Sequence, residues 1–203
     1  MKLPINIDQI KGFIDPDEGE ALYKYSLGNC KDKPCLEIGS YCGKSSVYIG
    51  TAVKINNQIL YSIDHHKGSE EQQPGEEYFD PDLINQNGDG IDTYPFFLNT
   101  IKISKLEDHI KPILGDSVEV AQKWNQMLSM VFIDGGHSEE SAQNDYKFWK
   151  KFIEPGGLLI IHDVFPNPKD GGRPPYNIYK KALDRKEFEE IELIKTLGIL
   201  KKI

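Results

Sequence analysis

The chain has 203 residues, of which 38% are hydrophobic and 28% charged, and carries a net charge of −8. That length suits one domain spanning 1–203 and burying about 70% of its unfolded surface. With no basic surplus to displace counterions from a phosphate backbone, the composition excludes a general nucleic-acid binder. The first eight residues hold no apolar core of signal-peptide length, and no run approaches ~18 apolar residues. Neither export nor a membrane span is expected, and a cytoplasmic protein is. Cys30, Cys35 and Cys42 are an odd number without Cys-x-x-Cys spacing and are expected to be reduced thiols.

In chain order, Asp15-Pro16-Asp17-Glu18 reads as a helix start, with acids in the first turn and proline just inside the cap. Gly28-Asn29 closes that helix, so residues 1–30 form an N-terminal helical segment. The apolar run 35–38 is a strand. Gly39 and Gly43 follow, and a helical pattern begins at Ser45. This strand, tight turn and helix N-terminus bring backbone N–H groups up to a ligand. Lys44 within it is expected to be a solvated helix residue. Residues 58–64 form a second strand ending on Asp64. Residues 65–92 lose all periodicity, and a connection of that length is an insertion or lid; His65 and His66 are expected to be loop residues there. A helix is expected over 93–105 with Tyr94, Phe97, Leu98, Ile101 and Leu106 on one face.

The alternation then resumes. Strand 110–116 contains Pro112 and belongs at an edge. His109, just before it, is expected at the surface. Helix 117–124, strand 129–134 and helix 139–153 follow. Pro155-Gly156-Gly157 reads as a turn before strand 158–163. A proline-glycine loop over 165–175, a helix over 176–183 and a hairpin of 189–196 with 199–203 around Gly198 end the chain. Repeated strand–helix alternation with continuous apolar strands means an α/β fold, a parallel sheet covered on both faces.

Ligands of such sheets bind outside the carboxyl ends of the strands. Those ends carry Glu37, Asp64, Asp116, Asp134 and the pair His162-Asp163. A phosphate loop of the Walker type fails by one residue, because Ile38 stands where its first glycine belongs. The dinucleotide fingerprint fails at Tyr41, whose side chain would crowd a pyrophosphate. A ligand with ribose but no phosphate fits better. Asp64, at the end of the next strand, is placed to accept both ribose hydroxyls, and Asp116-Ser117 to meet a base.

Leu36-Glu37-Ile38-Gly39-Ser40-Tyr41-Cys42-Gly43 with Ser45 resembles the first motif of the class I S-adenosylmethionine-dependent methyltransferases. It is most similar to the catechol-type O-methyltransferases. Ile113-Leu114-Gly115-Asp116-Ser117 and Met130-Val131-Phe132-Ile133-Asp134 resemble later motifs of that family. Ile133 to Ser138 also resembles a stretch of the metal-dependent sugar O-methyltransferases. The resemblance implies a doubly wound, Rossmann-like, mostly parallel seven-stranded sheet with a C-terminal antiparallel hairpin. It implies S-adenosyl-L-methionine as cofactor, held by Glu37, Gly39, Ser40, Tyr41, Gly43 and Ser45 at its methionine end, with Asp134 nearby. Asp64 would take the ribose, and Asp116 with Ser117 the adenine.

The resemblance further implies O-methylation of a small hydroxylated molecule, with catalytic roles for His137 and Asp134. Asp134, His162 and Asp163 stand where that family's divalent-metal ligands do. His162 departs from the acid usual there, and three alternatives follow: a metal other than Mg²⁺, such as Mn²⁺, Fe²⁺ or Zn²⁺; a His162 that points away and binds nothing; or a metal-free site with His162 as base. Segment 65–92 and loop 165–175 would flank the cofactor mouth, with Tyr78, Phe79, Tyr94 and Arg173 as contacts to the acceptor. No nucleic-acid or membrane partner is expected, and a homo-oligomer is left open. Two rival readings are a dinucleotide-binding oxidoreductase and a non-catalytic S-adenosylmethionine-binding module.

Overall fold

The computed structural model describes residues 1–203 apart from Glu77 and His137, and Glu70 by its backbone alone. Helix α1 (Pro16–Asn29) starts where the sequence signals it. The Asp15 side chain accepts from Asp17 N–H, the Glu18 side chain reaches back to Asp15 N–H, and Pro16 opens the first turn. Strand β1 (Cys35–Ile38) leads through the glycine loop into α2 (Lys44–Ile55) and β2 (Leu60–Asp64). Then come α3 (Tyr94–Ile103), β3 (Ile110–Leu114), α4 (Ser117–Lys123), β4 (Leu128–Ile133), α5 (Glu139–Trp149), β5 (Ile153–Ile161), α6 (Pro174–Asp184), β6 (Phe188–Ile194) and β7 (Leu197–Lys202).

Among the described residues the seven strands form one sheet in the order β3-β2-β1-β4-β5-β7-β6. All neighbours from β3 to β5 are parallel, and β7 runs antiparallel to both β5 and β6. Ile38 stands level with Ile63 on one side and Ile133 on the other. The chain reversal after β1 therefore places the ends of β1, β2 and β4 on one rim. Successive side chains of β4 go to opposite faces. Met130 and Phe132 join Leu22, Tyr48, Ile49 and Phe97 under α1, α2 and α3. Val131 and Ile133 join Tyr146, Trp149 and Ile178 under α5 and α6. On the first face α1 lies directly on α2, where Gly19 meets the Tyr48 ring with no room for a side chain.

Several expectations need correction. Leu98 is exposed rather than core-facing, because the buried face of α3 carries Phe97, Thr100 and Ile101. The hairpin turns at Lys195-Thr196, and Gly198 lies inside β7, paired with Ile161 and Leu193. Pro155-Gly156-Gly157 is no separate turn. It lies within β5, where the register shifts between Leu128 and Met130, so the strand bulges and continues. Segment 65–92 is not structureless. It holds short 3-10 turns at Glu70–Gln72 and Pro81–Leu83 and a bridge between Ile84 and Ile91. Its Leu83 and Ile91 are buried against Cys42.

Cys30 and Cys35 are joined as a disulfide rather than held as two thiols. Cys30 caps α1 and Cys35 opens β1, and the short connection brings their Cα atoms to 6.2 Å. Cys42 is free, and burial pushes its thiol up to about 12. Pro112 does sit in an edge strand, β3. His109 is half-buried, its Nδ1 3.0 Å from Gln58 O. No helix among the described residues is long and apolar enough to cross a membrane.

Candidate active site

The glycine loop is held from β2. Asp64 Oδ2 accepts from Ser40 N–H at 2.9 Å and Tyr41 N–H at 2.8 Å, while Oδ1 accepts from His66 N–H at 2.7 Å. This cradle keeps Tyr41 at φ 48°, a left-handed conformation rare for a bulky residue. The Tyr41 ring then stacks against Phe13 at 5.6 Å. Asp64 is the expected ribose ligand. Its carboxylate also builds the loop that faces it.

Glu37 does not face the rim. It lies fully buried behind the loop, accepting hydroxyl hydrogens from Ser45, Ser46 and Ser62. Burial pushes its carboxyl up to about 7, against the three hydroxyls that favour the ionised form. A folded-state pKa raised above the unfolded 4.5 contributes stability that is fully present below pH 4.5. That stability is lost as pH rises through 7. Glu37→Gln is expected to remove a wild-type loss of about 3 kcal/mol between pH 4.5 and 8. Urea unfolding at the two pH values checks this, and equal pH slopes for variant and wild type would contradict it.

In front of the loop lies a cavity of about 670 Å³. Gly39, Ser40, Tyr41, Ser45, Asp64, Asp116 and Ser117 line it, as do Asp134, His162 and Asp163. Glu37 and Gly43, both expected at the cofactor, stand behind this wall. His137 lies outside the described residues. Ser40 Oγ is buried at the wall without a hydrogen-bond partner, a polar atom that a ligand would satisfy. Lys44 is not a solvated helix residue. It is half-buried over Gly12, whose carbonyl its ammonium meets at 3.4 Å.

Asp116 caps α4 through Val118 N–H at 2.8 Å and Glu119 N–H at 3.0 Å, and beside it Ser117 Oγ donates to Asp145. Sequence reasoning missed Asp145. It is buried in α5 with Ala142, Tyr146 and Trp149, and burial pushes its carboxyl up to about 6. An acid on the apolar stripe of an amphipathic helix was the available signal. At the outer side, Tyr78 lines the cavity beside Phe13, Lys11 and Phe165. The other three expected contacts face elsewhere. Phe79 packs on the Leu83 cluster, Tyr94 lies 5.0 Å from the His66 ring, and Arg173 donates to Phe165 O while covering Tyr176. His66 is buried, with Nδ1 2.7 Å from Thr93 Oγ1, and burial lowers its pKa.

His162 closes the inner end. Its Nδ1 is 2.9 Å from Asp134 Oδ1 and 3.5 Å from Asp163 Oδ2, and its Nε2 is 3.0 Å from Glu18 Oε2. Burial works against a charged imidazole here, but Asp134, Asp163 and Glu18 outweigh it and raise the His162 pKa well above its usual value. Glu18 moves the opposite way. Burial would raise it, while His162 and the Thr196 N–H and hydroxyl hold it below the usual carboxylate range. Nothing in the sequence separates Glu18 from an ordinary capping acid, so its reach to His162 was missed. Asp163 adopts φ 57°, which turns its carboxylate beside the imidazole.

One ligand atom each from Asp134, His162 and Asp163 lies within 4.8 Å of the other two. The 2.9 and 3.5 Å separations from Nδ1 compare with about 3 Å between adjacent ligands of an octahedral ion with ~2.1 Å bonds. The residues present therefore fit a divalent cation.

Comparison with known proteins agrees with this geometry. Residues 36–164 match a family described as a methyltransferase domain. A Staphylococcus aureus protein designated a caffeoyl-CoA O-methyltransferase superposes with a TM-score of 0.67 at 13% identity, over 97% of this chain and 88% of its own. The O-methyltransferase TomG of Streptomyces achromogenes, solved with S-adenosylmethionine, gives 0.64 at 13% identity over 94% and 81%. The Podospora anserina methyltransferase PaMTH1, solved with S-adenosylhomocysteine, gives 0.67 at 12% over 94% and 80%. These likenesses show the same fold, and the family match takes in more than half of the chain, from the glycine loop through the cation-fitting cluster. The chain belongs to the methyltransferase-domain family and is a class I S-adenosylmethionine-dependent methyltransferase.

Proposed function

We propose that this enzyme transfers the methyl group to an oxygen of a small hydroxylated molecule, with a divalent cation at Asp134, His162 and Asp163. One observation carries the reading. A single cavity of about 670 Å³ is lined both by Asp64, Asp116 and Ser117 and by the cluster of two carboxylates and an imidazole. The O-methyltransferase TomG with bound S-adenosylmethionine supports the same cofactor and acceptor atom, and PaMTH1 with bound S-adenosylhomocysteine supports the cofactor. Phe13, Tyr78 and Phe165 give the acceptor side apolar faces suited to a planar or ring-shaped molecule.

Catalysis then rests on placing an acceptor oxygen in line with the sulfonium methyl in a site that excludes water. Ser40, Tyr41 and Asp64 orient the cofactor, and the aromatic wall orients the acceptor. A bound divalent cation lowers the pKa of an acceptor hydroxyl. His137, three residues beyond Asp134, is the proposed proton acceptor.

Residues 11–13, ahead of α1, and segment 65–92 form the proposed lid. Lys11 Nζ bridges Asp80 and Asp82 at 2.5 and 2.9 Å, and the Phe13 ring lies 5.6 Å from Tyr78. S-adenosylhomocysteine is expected to slow proteolysis within 65–92, and unchanged cleavage would sink the lid. Calorimetry tests the cofactor assignment. S-adenosylhomocysteine should bind at micromolar concentrations, and Asp64→Ala should weaken it by about 1–3 kcal/mol. No binding, or an unaltered affinity in the variant, would overturn the assignment.

A further inference from the structure

We infer that Glu18 sets the metal preference of the site: by holding His162 Nε2 it makes Nδ1 a ligating nitrogen, so that the site selects Mn²⁺ over Mg²⁺. This rests on the cation site proposed above. Glu18 lies on α1, outside the stretch matched to the methyltransferase domain, and takes part in the capping box of that helix. Capping does not require burial, yet Glu18 is only 3% exposed. Its two oxygens are separately committed. Oε2 meets His162 Nε2 at 3.0 Å, while Oε1 accepts from Thr196 N–H at 3.0 Å and Thr196 Oγ1 at 2.7 Å. The carboxylate is thus fixed from three elements: the start of α1, the end of β5 and the β6–β7 turn.

A carboxylate that holds one ring nitrogen fixes the tautomer, aims the other nitrogen and raises its basicity as a ligand. Here the other nitrogen is Nδ1, the one facing Asp134 and Asp163, and a cation bound there would take the place of the Nδ1 proton and release it to solvent. Two carboxylates with one imidazole form a mixed oxygen–nitrogen set. Mg²⁺ favours oxygen ligands and octahedral geometry, whereas Mn²⁺ accepts an imidazole among carboxylates and binds most mixed sites more tightly. Thr196 thereby acts on the metal through Glu18, and Glu18 acts through His162. Both are positioning residues.

Metal binding to the full chain, without acceptor or cofactor, tests this. Calorimetry with MnCl₂ and with MgCl₂ should show Mn²⁺ at least about tenfold tighter. Glu18→Gln keeps a hydrogen-bond acceptor and should weaken Mn²⁺ by about 10–100-fold, with a smaller change for Mg²⁺. His162→Asn replaces the nitrogen ligand by an amide oxygen. It should collapse the Mn²⁺ to Mg²⁺ ratio and remove the imidazole nitrogen coupling from the pulsed electron paramagnetic resonance spectrum of bound Mn²⁺. Should Glu18→Gln fail to fold, Thr196→Val loosens the same carboxylate from its other side and should lower the ratio. If both ions bind equally to the wild type, or the ratio is unchanged in the variants, the inference is overturned while the cation site stands. If neither ion binds at millimolar concentration, the cation site and the inference both fall. S-adenosylhomocysteine binding separately decides the cofactor.

Discussion

Replacing Gly39 by alanine is expected to destabilise the fold by about 2–5 kcal/mol and to abolish S-adenosylhomocysteine binding. Gly39 has φ +82°, and a Cβ there would stand 2.0 Å from the Asp134 carbonyl oxygen and 2.9 Å from Gly135 Cα. Both obstacles are backbone. The strands behind them are locked, since Gly39 N–H donates to Ile63 O and Asp134 N–H to Ile38 O, each at 2.9 Å. Relief requires β1 and β4 to part, which moves the glycine loop and Asp134 together and so spoils both ends of the cavity. Gly43→Ala is the useful contrast. It too has positive φ, but its Cβ would meet the Phe97 ring at 3.1 Å and the Thr100 side chain at 3.2 Å. Side chains give way, and Gly43 stands behind the cavity, so its cost should be about 1–2 kcal/mol with binding retained. Urea unfolding and calorimetry on both variants decide this, and a Gly39→Ala protein with wild-type stability and affinity would contradict the steric argument.

The sheet was legible because its cause is local. β4 is apolar but for Ser129, the last four residues of β5 are Leu158-Leu159-Ile160-Ile161, and runs of this kind, buried on both faces, are typical of a covered parallel sheet. The cap of α1 was legible for the same reason, since Asp15, Pro16 and Glu18 act within one turn. Errors arose where a distant partner decides. Gly198 reads as a turn, but pairing with Ile161 and Leu193 holds it inside β7. Pro155-Gly156-Gly157 reads as a break, but the register with β4 absorbs it as a bulge. Leu98 reads as buried until the face of α3 chosen by Phe97 and Ile101 is known. Cys30 and Cys35 read as separate thiols because the chain reversal that joins them lies between two elements.

The site shows the same division. Asp64, Asp134, His162 and Asp163 could be named because strand ends in such a fold converge on one rim. What each side chain does there depends on contacts made across long stretches of chain. Asp64 spends both oxygens on backbone N–H groups, Glu37 turns inward to three hydroxyls, and Ser117 turns to Asp145. The acid that completes the His162 cluster comes from α1, 144 residues earlier. No local pattern encodes such a partner.

His162→Ala is expected to cost about 3–5 kcal/mol of stability in the metal-free protein, because it strips the shared partner from the carboxylates of Glu18, Asp134 and Asp163. His162 is 5% exposed and Glu18 3%, so water cannot readily replace the imidazole. Glu18→Ala should cost a similar amount, since it exposes the same imbalance from the other side and also leaves the Thr196 hydroxyl and N–H without their acceptor. The two losses should not add. Among the described residues, the His162 ring without Glu18 keeps Asp134 and Asp163 as polar partners, and the Glu18 carboxylate without His162 keeps Thr196 and the Asp15 N–H. Chemical denaturation of the wild type, both single variants and the double variant should give a coupling of about 2–3 kcal/mol. Strict additivity would mean that the 3.0 Å contact between Nε2 and Glu18 contributes nothing in solution. A coupling of the expected size would show instead that the first turn of α1 and the end of β5 are bound into one unit. The N-terminal helix would then be part of the active site rather than a cover over the sheet.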